Sequence, residues 1–229
     1  ESVGFDGTPI YVDVEYGARG LRRRVSEPYR AGEAPLWTEY QYDRLGRVVL
    51  ETAPGQRVTS TQYAGLVTTV TNALGQRSVR TVDVLGRLTA STDALGGTVT
   101  YSYDPFGNLV SLTDPHGNTT TLTYDVRGNR IGIVDPDTGP SAFVFDALGQ
   151  LVAKTDARRN TVTFAYDVLG RMVSRSEPEG VSRWEYDSAT KGIGKLARLS
   201  RGDYAEEYSY DPLGRLERTR VSIAGTTFL

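Results

Sequence analysis

The stretch that most constrains this chain is Tyr103 to Tyr124, because most of the remaining sequence is written as variations on it. It holds two turns about ten residues apart, Asp104-Pro105-Phe106-Gly107 and Asp114-Pro115-His116-Gly117. In each, the first-position Asp carboxylate can accept backbone N–H bonds, Pro presets φ at the second position, and Gly tolerates the left-handed conformation at the fourth. That chemistry specifies a type I turn with a G1 bulge, a common three-residue hairpin loop. Between the turns run alternating segments rich in Thr, Val, Leu and Tyr, which suit half-buried strands. One unit is therefore strand, turn, strand, turn.

The unit recurs about every 21 residues. Its first turn returns as Asp83 to Gly86, Asp104 to Gly107, Asp125 to Gly128, Asp146 to Gly149 and Asp167 to Gly170, with Asp43 to Gly46 and Asp211 to Gly214 near the ends. The second turn follows about ten residues later, at Asp93, Asp114, Asp135, Asp156 and Glu177. If each Asp sits at a bulge, the residue before it pairs with the second residue after Gly. The pairs read Tyr42 with Val48, Val82 with Leu88, Tyr103 with Leu109, Phe145 with Leu151, Tyr166 with Met172 and Tyr210 with Leu216. Tyr124 meets Arg130, whose aliphatic stem is expected to cover the ring. Asp156-Ala157-Arg158-Arg159-Asn160 lacks Gly, and Asn is expected to take the left-handed position.

This repeat makes the chain all-β: consecutive antiparallel hairpins of about 21 residues forming one long sheet. Twisted sheets beyond about ten strands curl, split or close, so a curled or spiral sheet is expected. Residues 1–41 read as divergent repeats with a longer loop, and residues 42–229 as regular repeats of the same sheet. In the first turn row, Leu45, Leu74, Leu85, Phe106, Leu148, Leu169 and Leu213 precede Gly, and are expected to form an apolar rim covering neighbouring turns. The second row, with His116, Asp137, Arg158 and Glu179, is expected to be wetter.

The formal charge of −2, with signs interspersed, offers nothing to attract nucleic acid or an anionic membrane. Arg22-Arg23-Arg24 is the only basic run and reads as a solvated strand edge. Cysteine is absent, which excludes a disulfide framework and a thiolate metal site. No apolar run approaches the roughly 18 residues of a membrane span. The chain reads as a piece of something longer.

The element Tyr-Asp-x-x-Gly-Arg-apolar, seen as Tyr42 to Val48, Tyr166 to Met172 and Tyr210 to Leu216, resembles the YD repeat of the Rhs family. That family includes bacterial polymorphic toxins, shell subunits of insecticidal toxin complexes, and teneurins. The resemblance implies a sheet spiralling into a hollow shell, which in the toxins encloses a C-terminal effector. Nothing after Tyr210 resembles the autoproteolytic core that closes such toxins, so the wall carries over but not the protease or the effector.

Acid–base and metal readings of the Asp residues compete with a structural one, in which each carboxylate is already engaged by its turn. Asp135-Pro136-Asp137-Thr138-Gly139 resembles the start of a calcium loop but lacks the later carboxylates. His116 stands alone, without a Ser or Cys that the periodicity would bring beside it. Arg201-Gly202-Asp203 and the sequon Asn118-Thr119-Thr120 both fall where the repeat calls for turn residues. The expectation is therefore a non-enzymatic wall segment, without metal or cofactor, that sequesters a toxin or other polypeptide cargo. The alternative is a carbohydrate- or surface-binding module of an adhesin-like secreted protein, with Tyr103, Tyr124, Tyr166 and Tyr210 as candidate ligand-stacking rings. Expected partners are the rest of the same polypeptide, a glycan under the alternative reading, and further copies through exposed sheet edges. The expected location is secreted or at the cell envelope of a bacterium.

Overall fold

The computed structural model describes residues 2–3 and 8–228. Among these residues every regular element is a strand, as the repeat chemistry requires. The chain divides into two units, Glu1–Ser102 with Leu112–Asn118, and Tyr103–Ser111 with Thr119–Leu229.

In the first unit, strands Val14–Tyr16, Arg22–Ser26, Trp37–Tyr42, Val48–Ala53, Arg57–Ala64, Val67–Thr71, Arg77–Val82 and Leu88–Thr92 pair antiparallel in chain order. Ser2–Val3, Pro9–Tyr11 and Tyr29–Arg30 form a separate three-stranded sheet. The divergent N-terminal region is thus mixed. Residues 14–26 follow the repeat, with Gly17 in place of Asp and the closing bonds retained: Gly17 N–H to Leu21 O at 2.9 Å and Gly20 N–H to Gly17 O at 3.0 Å.

In the second unit, Thr119–Tyr124 pairs with Arg130–Asp135, and each later strand pairs with its predecessor as far as Thr226–Phe228. The register is the one read from the repeat: Tyr42 opposite Val48, Val82 opposite Leu88, Tyr124 opposite Arg130, Phe145 opposite Leu151, Tyr166 opposite Met172 and Tyr210 opposite Leu216. Each pair sits at a register shift, so one residue per hairpin is extra on the return strand. The bulge keeps the alternation in phase, because a single-residue slip would send every side chain to the other face.

Alternation then sorts the faces. In Thr161–Tyr166, the half-buried residues are Val162, Phe164 and Tyr166, and Thr161, Thr163 and Ala165 lie open. Gly139–Phe145 repeats the pattern with Ser141, Phe143 and Phe145 half-buried. One face is aromatic and half-buried, and the other carries smaller residues, Thr161, Thr163 and Ala165 in one strand and Pro140, Ala142 and Val144 in the other. Neither face has a second layer within its unit: among the described residues, only Leu122 and Ala197 are buried hydrophobics.

The turn residues before Gly do not cover their neighbours. Leu148 is 83% exposed and Phe106 91%. The reason is geometric: the third position of the turn projects beyond the ends of the strands, where the adjacent turn has no surface to offer. Leu74 also changes rim, since the turns at residues 72–75 and 83–86 lie at opposite ends of Arg77–Val82.

Candidate functional site: the Asp-Gly turns and the aromatic row

Every regular turn is built from the same set of bonds. At Asp43, the Gly46 N–H donates to Asp43 O at 3.2 Å and the Asp43 N–H donates to Arg47 O at 2.9 Å. Asp43 Oδ1 accepts the backbone N–H groups of Leu45 (2.9 Å) and Arg47 (3.0 Å), and Oδ2 accepts Arg47 Nε at 2.7 Å. Gly46 takes φ +80°, which an L-residue adopts only at a cost. The same backbone closure holds at Asp83–Gly86, Asp104–Gly107, Asp125–Gly128, Asp146–Gly149, Asp167–Gly170 and Asp211–Gly214.

The residue after Gly completes the cap. Arg87, Arg171 and Arg215 donate Nε to the Oδ2 of their own Asp at 2.7 Å. Asn108, Asn118 and Asn129 donate Nδ2 to it at 2.8 to 2.9 Å. Asn72 does the work of Asp in its turn, accepting the N–H groups of Leu74 and Gln76.

These donors hold the carboxyls below the usual carboxylate range. The leading cause is the backbone N–H of the residue after Gly at Asp43, Asp167 and Asp211. It is the Asn side-chain amide at Asp104, Asp114 and Asp125. At Asp83 partial burial pushes upward, and the Arg87 guanidinium and N–H groups outweigh it. Such carboxylates are charged and engaged at neutral pH, which suits a cap and leaves no proton for acid catalysis.

Several positions differ from the sequence expectation. In the Asp156 turn the left-handed residue is Arg159, at φ +65°, and not Asn160. Asn160 instead occupies the capping position, donating N–H to Asp156 Oδ1 at 2.8 Å and Nδ2 to Oδ2 at 3.2 Å. The side-chain donor matters at the fifth position, so the strain falls on the fourth. Glu177 caps no turn: Glu177 pairs directly with Gly180 around two residues, and its carboxylate meets Arg175 and Arg201. Arg130 stands opposite Tyr124 as expected, and its guanidinium reaches on over Phe143, at 5.4 Å. Both carboxylate oxygens of Asp135 are taken by Asp137 N–H, Thr138 and the Thr120 hydroxyl.

The aromatic row has a structural use that the spacing alone does not disclose. The hydroxyl of Tyr42 donates to Arg22 O at 2.7 Å, that of Tyr166 to Leu151 O at 2.9 Å, and that of Tyr210 to Leu196 O at 2.7 Å. Each acceptor is the first residue of the neighbouring strand. Tyr103 and Tyr124 are likewise half-buried at the ends of their strands. Arginines tie neighbouring hairpins: Arg47 stacks over Tyr63 at 4.1 Å, Arg127 donates to Ala147 O at 2.8 Å, and Arg19 donates to the Asp43 and Arg44 carbonyls at 2.9 Å. Near the end of the chain, the Tyr204 and Tyr208 hydroxyls both donate to Glu206 and hold its carboxyl below the ordinary range.

The class defined by these features is a YD-repeat sheet, in which the Tyr ties strands together and the Asp caps the turn. Comparison with known families agrees: the RHS Repeat family matches residues 82–119, 103–140 and 145–182. Residues 82–140 and 145–182 are thus RHS repeats.

Its fold is also that of a segment of solved toxin-complex structures. A crystal structure of TcdB2-TccC3-TEV superposes with a TM-score of 0.77 at 17% identity, over 91% of this chain and 13% of that one. TcdB2-TccC3 gives 0.76 at 18% identity, again over 91% of this chain and 13% of that one. The Photorhabdus luminescens Tc holotoxin pore gives 0.75 at 17% identity, over 93% of this chain and 13% of that one. The chain therefore spans about 13% of the length of the structures it resembles. None of the curated proteins matches the sequence.

Proposed function

We propose that the chain is a segment of the wall of a secreted bacterial YD-repeat shell, which separates an enclosed toxin or other polypeptide from the outside. The observation that carries this reading is a repeated sheet without a core of its own. An aromatic, half-buried face opposes an open face of Thr, Ala, Pro and Val, and a stable domain normally covers such an aromatic face with a second layer. In a shell, further wall and contents supply that cover. The rest of the same polypeptide is then the first partner, and residues 1–41 and 42–229 belong to one wall.

Small-angle X-ray scattering of this chain at several concentrations tests the reading. A profile with a low-density centre and a maximum dimension well below the roughly 100 Å that 21 strands about 4.8 Å apart would span if laid flat supports a wall. An extended flat profile at every concentration overturns it. That outcome would favour the second reading, in which Tyr103, Tyr124, Tyr166 and Tyr210 stack on glycans through their partly open rings. The Tyr166 and Tyr210 hydroxyls are already spent on carbonyls, so ring faces alone would have to supply that binding.

A further inference from the structure

Among the described residues, every turn that closes with the pair of backbone bonds seen at Asp43 begins with Asp or Asn, except the one at Gly17. In the others, Oδ1 of the first residue accepts the N–H groups of the third and fifth residues at 2.8 to 3.0 Å. The Gly17 turn keeps the same frame: both closing bonds, Gly20 at φ +70°, and the register shift that sets Tyr16 opposite Arg22. Its third and fifth residues are Arg19 and Leu21, whose N–H groups have no acceptor among the described residues. Two aligned donors therefore face the place that a side-chain oxygen fills in the other turns.

Neither space nor backbone conformation forces this omission. Gly17 lies outside the left-handed region, and a Cβ there would meet only Leu21 O, at 3.8 Å. The fifth position, which carries Arg, Asn or Gln in most of the other turns, is here Leu21, whose side chain lies beside Gly46. A cleft of about 330 Å³ adjoins the turn, lined by Arg19, Leu21, Arg23, Tyr40 and Tyr42 among others, and no acidic residue lines it. The arginines around it differ in what they have left to offer. Arg19 has both terminal nitrogens on the Asp43 and Arg44 carbonyls, and Arg24 is held by Glu15 and stacked over Trp37. The Arg23 guanidinium makes no hydrogen bond or ion pair among the described residues.

The geometry points to a docking site for an acidic side chain of a partner polypeptide, its carboxylate seated on the Arg19 and Leu21 N–H groups with Arg23 supplying the positive charge. Successive N–H groups of a turn form a concavity that favours anions, and their bonds to a carboxylate are charge-assisted. The Asp43 turn displays the same preference with its own side chain: the Arg47 N–H leads in holding that carboxyl below the usual range, and the Leu45 N–H adds to it. Leu21, Tyr40 and Tyr42 give the cleft apolar walls, which suit an acidic residue flanked by apolar ones. Such docking requires only this turn and its cleft, and holds whether or not the chain walls off a cargo.

The test is a titration of the isotopically labelled chain with N-acetyl-aspartate amide, followed by NMR at the Arg19 and Leu21 N–H groups. The neutral asparagine counterpart and N-acetylglycine, which carries its carboxylate at a chain end, serve as controls. Saturable shifts centred on the Gly17 turn are expected with the aspartate probe, and binding at least roughly tenfold weaker with asparagine. Gly17→Asp should cap the turn from within, abolish the response and raise the melting temperature by ~2–4 °C. Gly17→Ala leaves both N–H groups open and should keep the response. Equal shifts from asparagine, tighter binding of N-acetylglycine, or a full response in Gly17→Asp would each overturn the assignment. If either variant fails to fold, the three probes on the unmodified chain decide alone.

Discussion

On one rim of the second unit, the turns beginning at Asp104, Asp125, Asp146, Asp167 and Asp211 close with the same two backbone bonds. The opposite rim mixes a loop at residues 136–138, a strained turn at Asp156, and two-residue turns at Pro178-Glu179, Gly202-Asp203 and Ala224-Gly225. Every register shift of this unit sits on the uniform rim, at Tyr124, Phe145, Tyr166, Tyr186 and Tyr210. The uniform rim therefore sets the phase that keeps aromatic residues on one face. The other rim only has to reverse the chain. Even the enlarged loop after Tyr186 obeys this rule: Asp187 N–H donates to Lys195 O at 3.0 Å, and Tyr186 still faces Leu196.

The comparison can be broken most sharply at Gly149, which holds φ +79° with nothing near its Cβ direction. Gly149→Val should cost about 2 kcal/mol through backbone strain alone, read as a lower denaturation midpoint. The matching change on the variable rim has the opposite sign. Arg159→Gly relieves a left-handed Arg and should gain about 1 kcal/mol by the same measurement, whereas a loss would show that the Arg159 side chain earns its strained position.

Removing a hydroxyl is expected to do less. Tyr166→Phe leaves Leu151 O without its 2.9 Å donor and should cost about 1 kcal/mol, with faster amide exchange confined to the two neighbouring strands. Asp167→Ala removes two backbone caps and the Arg171 contact, and should lower the melting temperature by ~2–4 °C. Glu177→Ala should change it by less than half as much, because Glu177 makes only ion pairs with partly exposed arginines.

Acid gives the broadest and most gradual test. The capping carboxyls have folded pKa values below their unfolded ones, so their stabilisation is complete above about pH 4 to 5 and is lost as pH falls through the lowered folded values. Melting temperature should be flat from neutrality to about pH 5 and fall below about pH 4. A curve that stays flat to pH 2 would remove the carboxylate caps from the account.

Much of this molecule was legible in about ten residues at a time. Asp at the first position, Gly at the fourth and an apolar residue two beyond it specify a turn, a bulge and a cross-strand pair, and the register follows at Tyr166 and Met172 as at Tyr42 and Val48. Misreadings arose where two signals competed within a turn. Asn160 is a good left-handed residue and a better cap, and capping prevailed. Glu177 resembled another cap until its two-residue turn left no N–H groups for it to receive.

What the sequence by itself determined is the all-β repeat, its turns, its register and its likeness to RHS repeats. All of these come from interactions between residues a few positions apart or directly opposed across one hairpin. Only the tertiary structure decided which side chains meet between hairpins: that Tyr166 reaches Leu151 O, that Arg130 extends to Phe143, and that Arg171 spans to Asp187 and Tyr186. Those contacts join residues about 13 to 16 positions apart. They depend on side-chain length and on the neighbouring strand, neither of which the repeat motif encodes.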